Sequence, residues 1–479
     1  MPATLAGHAA GAPSSFGDNA RRIAHLAWPV FAGQIAVLGF STVDTLLIAR
    51  YAALDLAALA VGAAAYASIF VGFMGVVMAV GPIAGQLFGA RREIECGLQL
   101  HQAVWLALGI AVPGCALLLF PQPFLWLAKA EPEVAHKVHA YLGALAVALP
   151  ASLLFTAYRG FNIAVSRPKA VMALQVAALA LKVPASLALI YGFALPMPFG
   201  TLRVAPLGLT GCGIATALVM WAQLLAAVLL IRRDPFYARL GLHRPGLAPP
   251  DRAALRALLA LGVPMGLAVL IEVTGFTFMS FFISRLGTTP VAGHQIAANV
   301  VALMFMLPLG LANATGTLVA QRIGADDPHD ARRLGWHGLA IGTGLGALLG
   351  GLVFAGRGAI AHAYTHDAAV IAAALPMLAW VGLFHVCDAA QTLAAFVLRA
   401  YRIATVPVVI YALALWGIGL GGGSLLAFDI GGVTPAWLQG APGFWAAATL
   451  GLLAAALGLS ALLGALLRAQ RRAQTAPIA

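Results

Sequence analysis

Charge is scarce in this chain. Only 9% of its 479 residues are Asp, Glu, Lys or Arg, where a soluble domain carries about 25%. A water-facing surface cannot be built from so few, which excludes a soluble globular protein. Cysteine is scarce too. Cys96, Cys115, Cys212 and Cys387 are scattered without metal-ligand spacing, so they read as small apolar packing residues rather than a zinc module or a disulfide framework. Enzyme signatures are missing as well. There is no phosphate loop with its lysine, no His-Glu-x-x-His zinc motif and no nucleophile elbow, and Gly421-Gly422-Gly423 lies in an apolar context unlike a phosphate cradle.

What the chain has is apolar length. Hydrophobic residues make up 62% of it, in runs long enough to cross a bilayer at about 20 residues each. The runs predict an all-α polytopic membrane protein with twelve spans, near 26–49, 57–83, 97–120, 138–157, 170–193, 206–231, 255–283, 291–319, 335–356, 370–398, 405–428 and 443–467. The first run is too long for a signal peptide and lacks a small-residue cleavage site after it. Residues 1–20, rich in Ala, Gly and Ser, read as a flexible tail, and 469–479 as a second one.

The net charge of +12 suggests nucleic acid, but its distribution argues for topology. The termini and even-numbered loops take 21 of the 28 Lys and Arg, and the odd-numbered loops take 6. The positive-inside rule then places both termini in the cytoplasm. The basic excess faces anionic lipid, and no nucleic-acid partner is expected.

The chain also repeats itself. Shifted by 235 residues, Pro29–Ala90 lies on Pro264–Ala325 without a gap, with 14 identities in 62 positions. They include Pro29/Pro264, Arg50/Arg285, Gly75/Gly310, Gln86/Gln321 and Gly89/Gly324. Chance would give about a tenth in so biased a composition, so this counts as an internal repeat. A weaker echo sets Arg159 on Arg399 at a shift of 240. Six spans separate the copies, so both run the same way through the membrane, about an axis along its normal. The expected organisation is an N-lobe over 21–231, a cytoplasmic linker over 232–254 rich in Pro and Arg, and a C-lobe over 255–468. Prolines such as Pro82, Pro150, Pro184, Pro308 and Pro376 lie inside spans, where they serve as kinks or simply pack.

Four ionisable residues lie deep in these spans: Asp44, Lys182, Glu272 and Asp388. A charge at mid-bilayer costs roughly 2.5–3.5 kcal/mol even on lenient insertion scales, so each is a candidate for function. In the repeat frame Glu272 matches Val37, not Asp44, so the two lobes carry different charge. Glu272 and Asp388 could share Na⁺ through hard oxygen donors, or hold a proton. Lys182 needs a partner, and Asp44 in the same lobe is the best candidate. His294, Gln295 and Asn299 begin span 8, and His385 precedes Asp388. Tyr158, Trp221, Phe276, Phe278, Trp380 and Tyr411 could line a cavity for planar cations or merely pack.

Leu26-Ala27-Trp28-Pro29, Ser41-Thr42-Val43-Asp44-Thr45, Gly81-Pro82-Ile83-Ala84-Gly85-Gln86 and Gly211-Cys212-Gly213-Ile214-Ala215-Thr216 stand in the first half. His294-Gln295-Ile296-Ala297-Ala298-Asn299, Gln321-Arg322-Ile323-Gly324-Ala325 and Leu398-Arg399-Ala400-Tyr401 stand in the second. Together they resemble the multidrug and toxic compound extrusion (MATE) transporters, in the bacterial NorM-like branch, over about residues 22–470. The resemblance implies a monomeric twelve-helix antiporter of the bacterial inner membrane. It would need no cofactor, and would export cationic or amphiphilic drugs in exchange for Na⁺ or H⁺. It implies that Glu272 and Asp388 hold the coupling cation, Na⁺ if the protein is sodium-coupled, and that Asp44 marks an N-lobe ion or substrate site. Many relatives carry asparagines in span 5, where this chain has Lys182 and Ser186, so coupling is expected in the C-lobe. The alternative within the same superfamily is a flippase for lipid-linked precursors. Three buried acids against one buried base count against it.

Overall fold

A computed structural model describes residues 15–128, 131–197 and 200–475. Twelve helical segments in it are long and apolar enough to cross a membrane, and the protein is a multi-pass membrane protein. The first six are α1 (Phe16–Tyr51), α2 (Ala53–Val77) continued by α3 (Val80–Gly89), α4 (Glu93–Leu119), α6 (Pro132–Ala164), α7 (Pro168–Tyr191) and α8 (Gly208–Arg233). A short α5 (Gln122–Ala128) precedes α6, and α9 (Phe236–Arg239) follows α8. The second six are α10 (Arg252–Ser284), α11 (Thr288–Gly324), α12 (Pro328–Tyr364), α13 (Ala368–Ala400), the segment from α14 (Thr405–Tyr411) to α15 (Gly423–Ala427), and α16 (Ala441–Thr475). A two-stranded antiparallel hairpin, β1 (Phe193–Met197) with β2 (Gly200–Val204), joins α7 to α8 outside the spans.

Both proposed tails are shorter than expected. Phe16–Ala20 are helical, because Ser15 caps α1 through its hydroxyl to the Asp18 amide at 3.1 Å, and Asp18 returns a bond to the Ser15 amide. Such a reciprocal cap satisfies amides that a helix start leaves open. At the other end α16 runs to Thr475. Residues 1–14 and 476–479 lie outside the described residues. The linker is docked on α4. Trp105 donates to the Ala248 carbonyl at 2.9 Å, and Gln102 bonds both the Pro249 carbonyl and the Asp251 amide. At its start Arg167 pairs with Asp234 at 2.5 Å. Partial burial alone would raise the Asp234 carboxyl, but the Phe236 amide and the Arg167 guanidinium outweigh it and hold the group below its usual range.

The repeat is visible in the helix ends. α2 with α3 and its counterpart α11 run 53–89 and 288–324, offset by 235. α6 and α13 run 132–164 and 368–400, offset by 236. The turns that follow place left-handed residues at matching positions, Arg91 (φ 57°) with Asp326 (φ 56°), and Ser166 (φ 60°) with Arg402 (φ 59°). The echo at 240 is therefore not the structural register. In the frame of the helices Arg159 corresponds to Ala395, and Arg399 to Ile163. Span 2 breaks at Met78–Ala79, because Pro82 has no N–H to offer the Met78 carbonyl; Gly81 takes it instead at 3.0 Å.

The lobes meet at the ends that carry the arginine-rich loops. There α3 crosses α11 so closely that a Cβ on Gly89 would collide with the Gln321 backbone, and one on Gly324 with the Gln86 backbone. Gln86 Nε2 donates to the Ala400 carbonyl at 2.8 Å. Its repeat mate, Gln321 Nε2, donates to the Ala164 carbonyl at 2.7 Å and to Ser166 Oγ at 2.8 Å. Each glutamine thus caps the last helical carbonyl of the opposite lobe's α6 or α13, a group that a helix end leaves without a partner. Gly75 and Gly266 bring α2 and α10 into backbone contact. The start of α1 bridges as well, through Arg22 to Asp330 at 3.5 Å and Asn19 to His337 at 3.0 Å.

Because no Cβ fits at the crossing, Gly89→Val should destabilise the protein by about 1–3 kcal/mol through overpacking. Gly109→Ala, where nothing lies within 4 Å, should leave the thermal midpoint nearly unchanged. Thermal unfolding in detergent measures both, and equal midpoints for the two variants would mean that the crossing tolerates separation.

Candidate functional site

Between the lobes lies a cavity of about 540 Å³, within the 300–1,000 Å³ range of pockets for drug-sized ligands. Its walls are mostly apolar and aromatic, with Met74 and Met78 from α2 and the turn after it, Phe276 from α10, Phe305 from α11, and Phe384 and Phe396 from α13. Methionine is adaptable and aromatic rings are flat, so such walls can repack around varied shapes. Phe276 and Phe384 are backed by Trp445, at ring-centroid distances of 5.9 and 5.4 Å.

Four charges face this cavity: Glu272 on α10, Asp388 and Arg399 on α13, and Arg159 on α6. The two acids are joined by one amide. Gln391 Nε2 donates to Asp388 Oδ1 at 3.0 Å and Glu272 Oε1 at 3.3 Å, and also reaches Thr392 Oγ1 at 2.9 Å. Tyr411 donates its hydroxyl to Gln391 Oε1 and fixes the amide's orientation. Asp388 and Gln391 are three residues apart on α13, hence on one helix face. Tyr411 ends α14, where a π-helical stretch begins (Ala412–Gly422). Leu415, Gly419 and Leu420 of that stretch also face the cavity. Such wide turns are frequent at functional sites.

The sequence thus located both acids but missed what surrounds them. Gln391 gave no signal as a lone polar residue, although its spacing from Asp388 would have marked it. Arg159 and Arg399 were counted with the loops because they lie only five residues and one residue from the ends of α6 and α13. The count of three acids to one base is therefore corrected at the cavity, where two acids face two arginines.

Asp44 and Lys182 do pair, at 2.8 Å, away from the cavity lining. Lys182 Nζ also donates to Thr216 Oγ1 at 2.6 Å and to the Cys212 carbonyl at 3.3 Å. From α7 the ammonium thus meets oxygens of both α1 and α8. Of the other named residues, Phe276 and Tyr411 face the cavity, while Tyr158, Trp221, Phe278 and Trp380 do not. Trp221 and Phe278 are exposed. His294 is buried between Ser280 Oγ at 2.7 Å and Trp445 Nε1 at 3.2 Å, a packing role. His385 is buried with neither ring nitrogen hydrogen-bonded.

If the Lys182–Asp44 pair is closed in this way, Lys182→Ala should cost about 3–5 kcal/mol by stranding a buried carboxylate. Adding Asp44→Asn should recover much of that loss. A double-mutant cycle read by thermal unfolding tests this, and a coupling near zero would dissolve the pair.

The MatE family model matches this chain twice, over residues 29–187 and 264–423, in step with the repeat. A probable multidrug resistance protein NorM of Aromatoleum aromaticum is 39% identical over 97% of this chain and 98% of its own length. Another, of Chromobacterium violaceum, is 35% identical over 92% of each chain. A solved structure described as the outward-facing conformation of a multidrug resistance MATE family transporter is 16% identical. It superposes with a TM-score of 0.82, covering 95% of this chain and 97% of that one. At that identity the likeness concerns the fold. By the family model and the length of these matches, the chain belongs to the MatE family of transporters.

Proposed function

We propose that this protein exports amphiphilic organic cations across a bacterial inner membrane, in exchange for a cation bound at Glu272 and Asp388. The observation that carries the reading is two carboxylates held on one amide and facing a drug-sized cavity between two lobes. Oxygen donors of this kind bind Na⁺ or, after protonation, hold H⁺. A cationic drug competes for the same negative charge. Loading the acids from outside therefore releases the drug, and unloading them inside makes the site attractive to it again. In the N-lobe an ammonium already fills the corresponding role, since Lys182 occupies Asp44. That is why we place coupling in the C-lobe.

With the arginine-rich face on the cytoplasmic side, the lobes in this structure are closed inside, and the cavity belongs to an outward-facing state. Transport then needs the crossing of α3 over α11 to open while the opposite ends close. The relatives named as multidrug resistance proteins support efflux over movement of a lipid-linked precursor.

Proteoliposomes with an imposed Na⁺ or pH gradient and ethidium as cargo test the coupling. Glu272→Gln and Asp388→Asn should each abolish gradient-driven efflux, with the double variant no worse than either alone, because the two acids act as one unit. Full efflux in the double variant would remove the C-lobe site. A passive channel would release ethidium with no ion exchanged, and a flippase would leave it in place.

The closure itself is open to measurement. Each interhelical hydrogen bond in a membrane protein is worth about 0.6–1.7 kcal/mol. Gln86→Leu combined with Gln321→Leu should therefore shift the two-state population roughly tenfold toward the inward-open form. Spin labels at Arg92 and Arg333 should report a longer distance; an unchanged distribution would mean that the glutamines do not hold the gate.

A further inference from the structure

Span 11 departs from the helix that its place in the repeat calls for. Its N-lobe counterpart, α7, is α-helical from Pro168 to Tyr191. Span 11 instead passes from α14 into eleven residues of π-helix, Ala412–Gly422, before it closes as α15. π-Helix is mostly confined to single wide turns, so a stretch of this length needs a cause.

The cause lies in what its residues hold. Tyr411, directly before the stretch, donates its hydroxyl to Gln391, whose amide holds both Asp388 and Glu272. Trp416, five residues later, reaches the other acid-bearing helix. Its Nε1 donates to the carbonyl of Ile271, the residue before Glu272, at 3.2 Å. Its ring lies beside Gly275 and meets Phe278 edge to face at 6.4 Å. Ile271, Gly275 and Phe278 follow one stripe of α10. In an α-helix, residues five apart point about 140° away from each other, so one face cannot serve both contacts. In a π-helix each carbonyl accepts from the N–H five residues on, which stacks such residues on one side. The wide turns are also braced from behind. A Cβ on Gly451 of α16 would stand 2.5 Å from the Ala414 carbonyl oxygen and 3.3 Å from the Gly419 nitrogen. Those two groups are five residues apart, the spacing of one π-helical bond.

We propose that span 11 positions the coupling acids, with Trp416 as a positioning residue for Glu272 and the π-helical register as the device that lets Tyr411 and Trp416 serve both acid-bearing helices at once. The proposal rests on the coupling reading above and adds what keeps that site in shape. Two carboxylates on separate helices repel each other. A cation binds them best when their oxygens are already in place, since ordering them on binding costs affinity. Trp416 ties the turn of α10 that carries Glu272, and Tyr411 ties the amide on α13. Both ties leave one short segment, so that segment sets the acids relative to each other.

The test uses the full-length protein in proteoliposomes, with ethidium as cargo and the driving ion, Na⁺ or H⁺, varied in concentration. Trp416→Phe keeps a ring and removes the N–H. Gly451→Ala touches neither acid and disturbs the wide turns from behind. Each should raise the ion concentration for half-maximal efflux by about threefold or more, the average worth of one interhelical hydrogen bond. The maximal rate should stay close to that of the wild type, because saturating ion restores the order. Trp437→Phe, at an exposed position outside the spans, should change neither quantity. A half-saturating concentration unchanged in either test variant, or a fall in maximal rate alone, marks span 11 as ordinary packing and overturns the proposal. Where one variant does not fold, the other decides. If wild-type efflux responds to neither gradient, the coupling reading fails and this proposal with it. If the wild type is coupled and the variants match it, only the positioning role falls.

Discussion

Everything in this molecule hangs on the place where α3 crosses α11. The two helices approach until backbone meets backbone, which only Gly89 and Gly324 permit. No hydrophobic force drives helices together inside lipid, so the contact must be made of close packing and hydrogen bonds. Gln86 and Gln321 provide those bonds reciprocally, each capping the end of a helix in the other lobe. The arrangement is two-fold because the chain is duplicated, and an identity at one copy enforces the same bond at the other. Few bonds are involved, so the closure is firm enough to define a state and weak enough to be exchanged for another.

Mechanical symmetry contrasts with chemical asymmetry. The skeletons of the two lobes share two helix spans, the turns that follow them and even their left-handed residues. Their buried charges do not match at a single repeat position. In the N-lobe the acid is met by a lysine that also bonds α8, and the group lies within one lobe. In the C-lobe the acids are met by a neutral amide, which orients them without cancelling their charge. A charge that is already paired can fix a structure. A charge held by neutral donors can still exchange ions. On the proposed cycle it is therefore the C-lobe that changes its occupant, while the Lys182–Asp44 pair stays closed.

Much of this was legible in the sequence. Twelve spans, the repeat and the two C-lobe acids follow from hydropathy, self-comparison and the cost of charge in lipid. The Lys182–Asp44 pair followed from the same cost, since a lysine in a span must find a partner. The tails were drawn too long because the composition of residues 16–20 and 469–475 outweighed the capping box at Ser15 and the continuity of α16. The arginines were misplaced for a different reason. Arg159 and Arg399 stand near helix ends, where hydropathy reads every basic residue as loop. Their inward direction depends on the rotation of α6 and α13, which only packing reveals. Gln391 escaped because a single glutamine carries no periodic signal. Its importance arises from being within reach of two acids on different helices.

The balance of charge around the cavity has a consequence for selectivity. A cavity with acids alone would bind any cation of suitable size, and its affinity would rise with charge whatever the shape. Opposed charges in one cavity make a stricter demand, because a bound molecule that answers one sign leaves the other desolvated. The adaptable part of the site is its apolar wall, and the discriminating part is the set of charges at Glu272, Asp388, Arg399 and Arg159. Breadth toward ring systems and strictness toward charge pattern can therefore coexist in one cavity. The charges belong to different lobes: the acids and Arg399 stand on the C-lobe, Arg159 on the N-lobe. Opening the crossing at Gly89 and Gly324 changes the distance between them, so on the proposed cycle the motion that exchanges the coupling cation also changes the charges around the cargo.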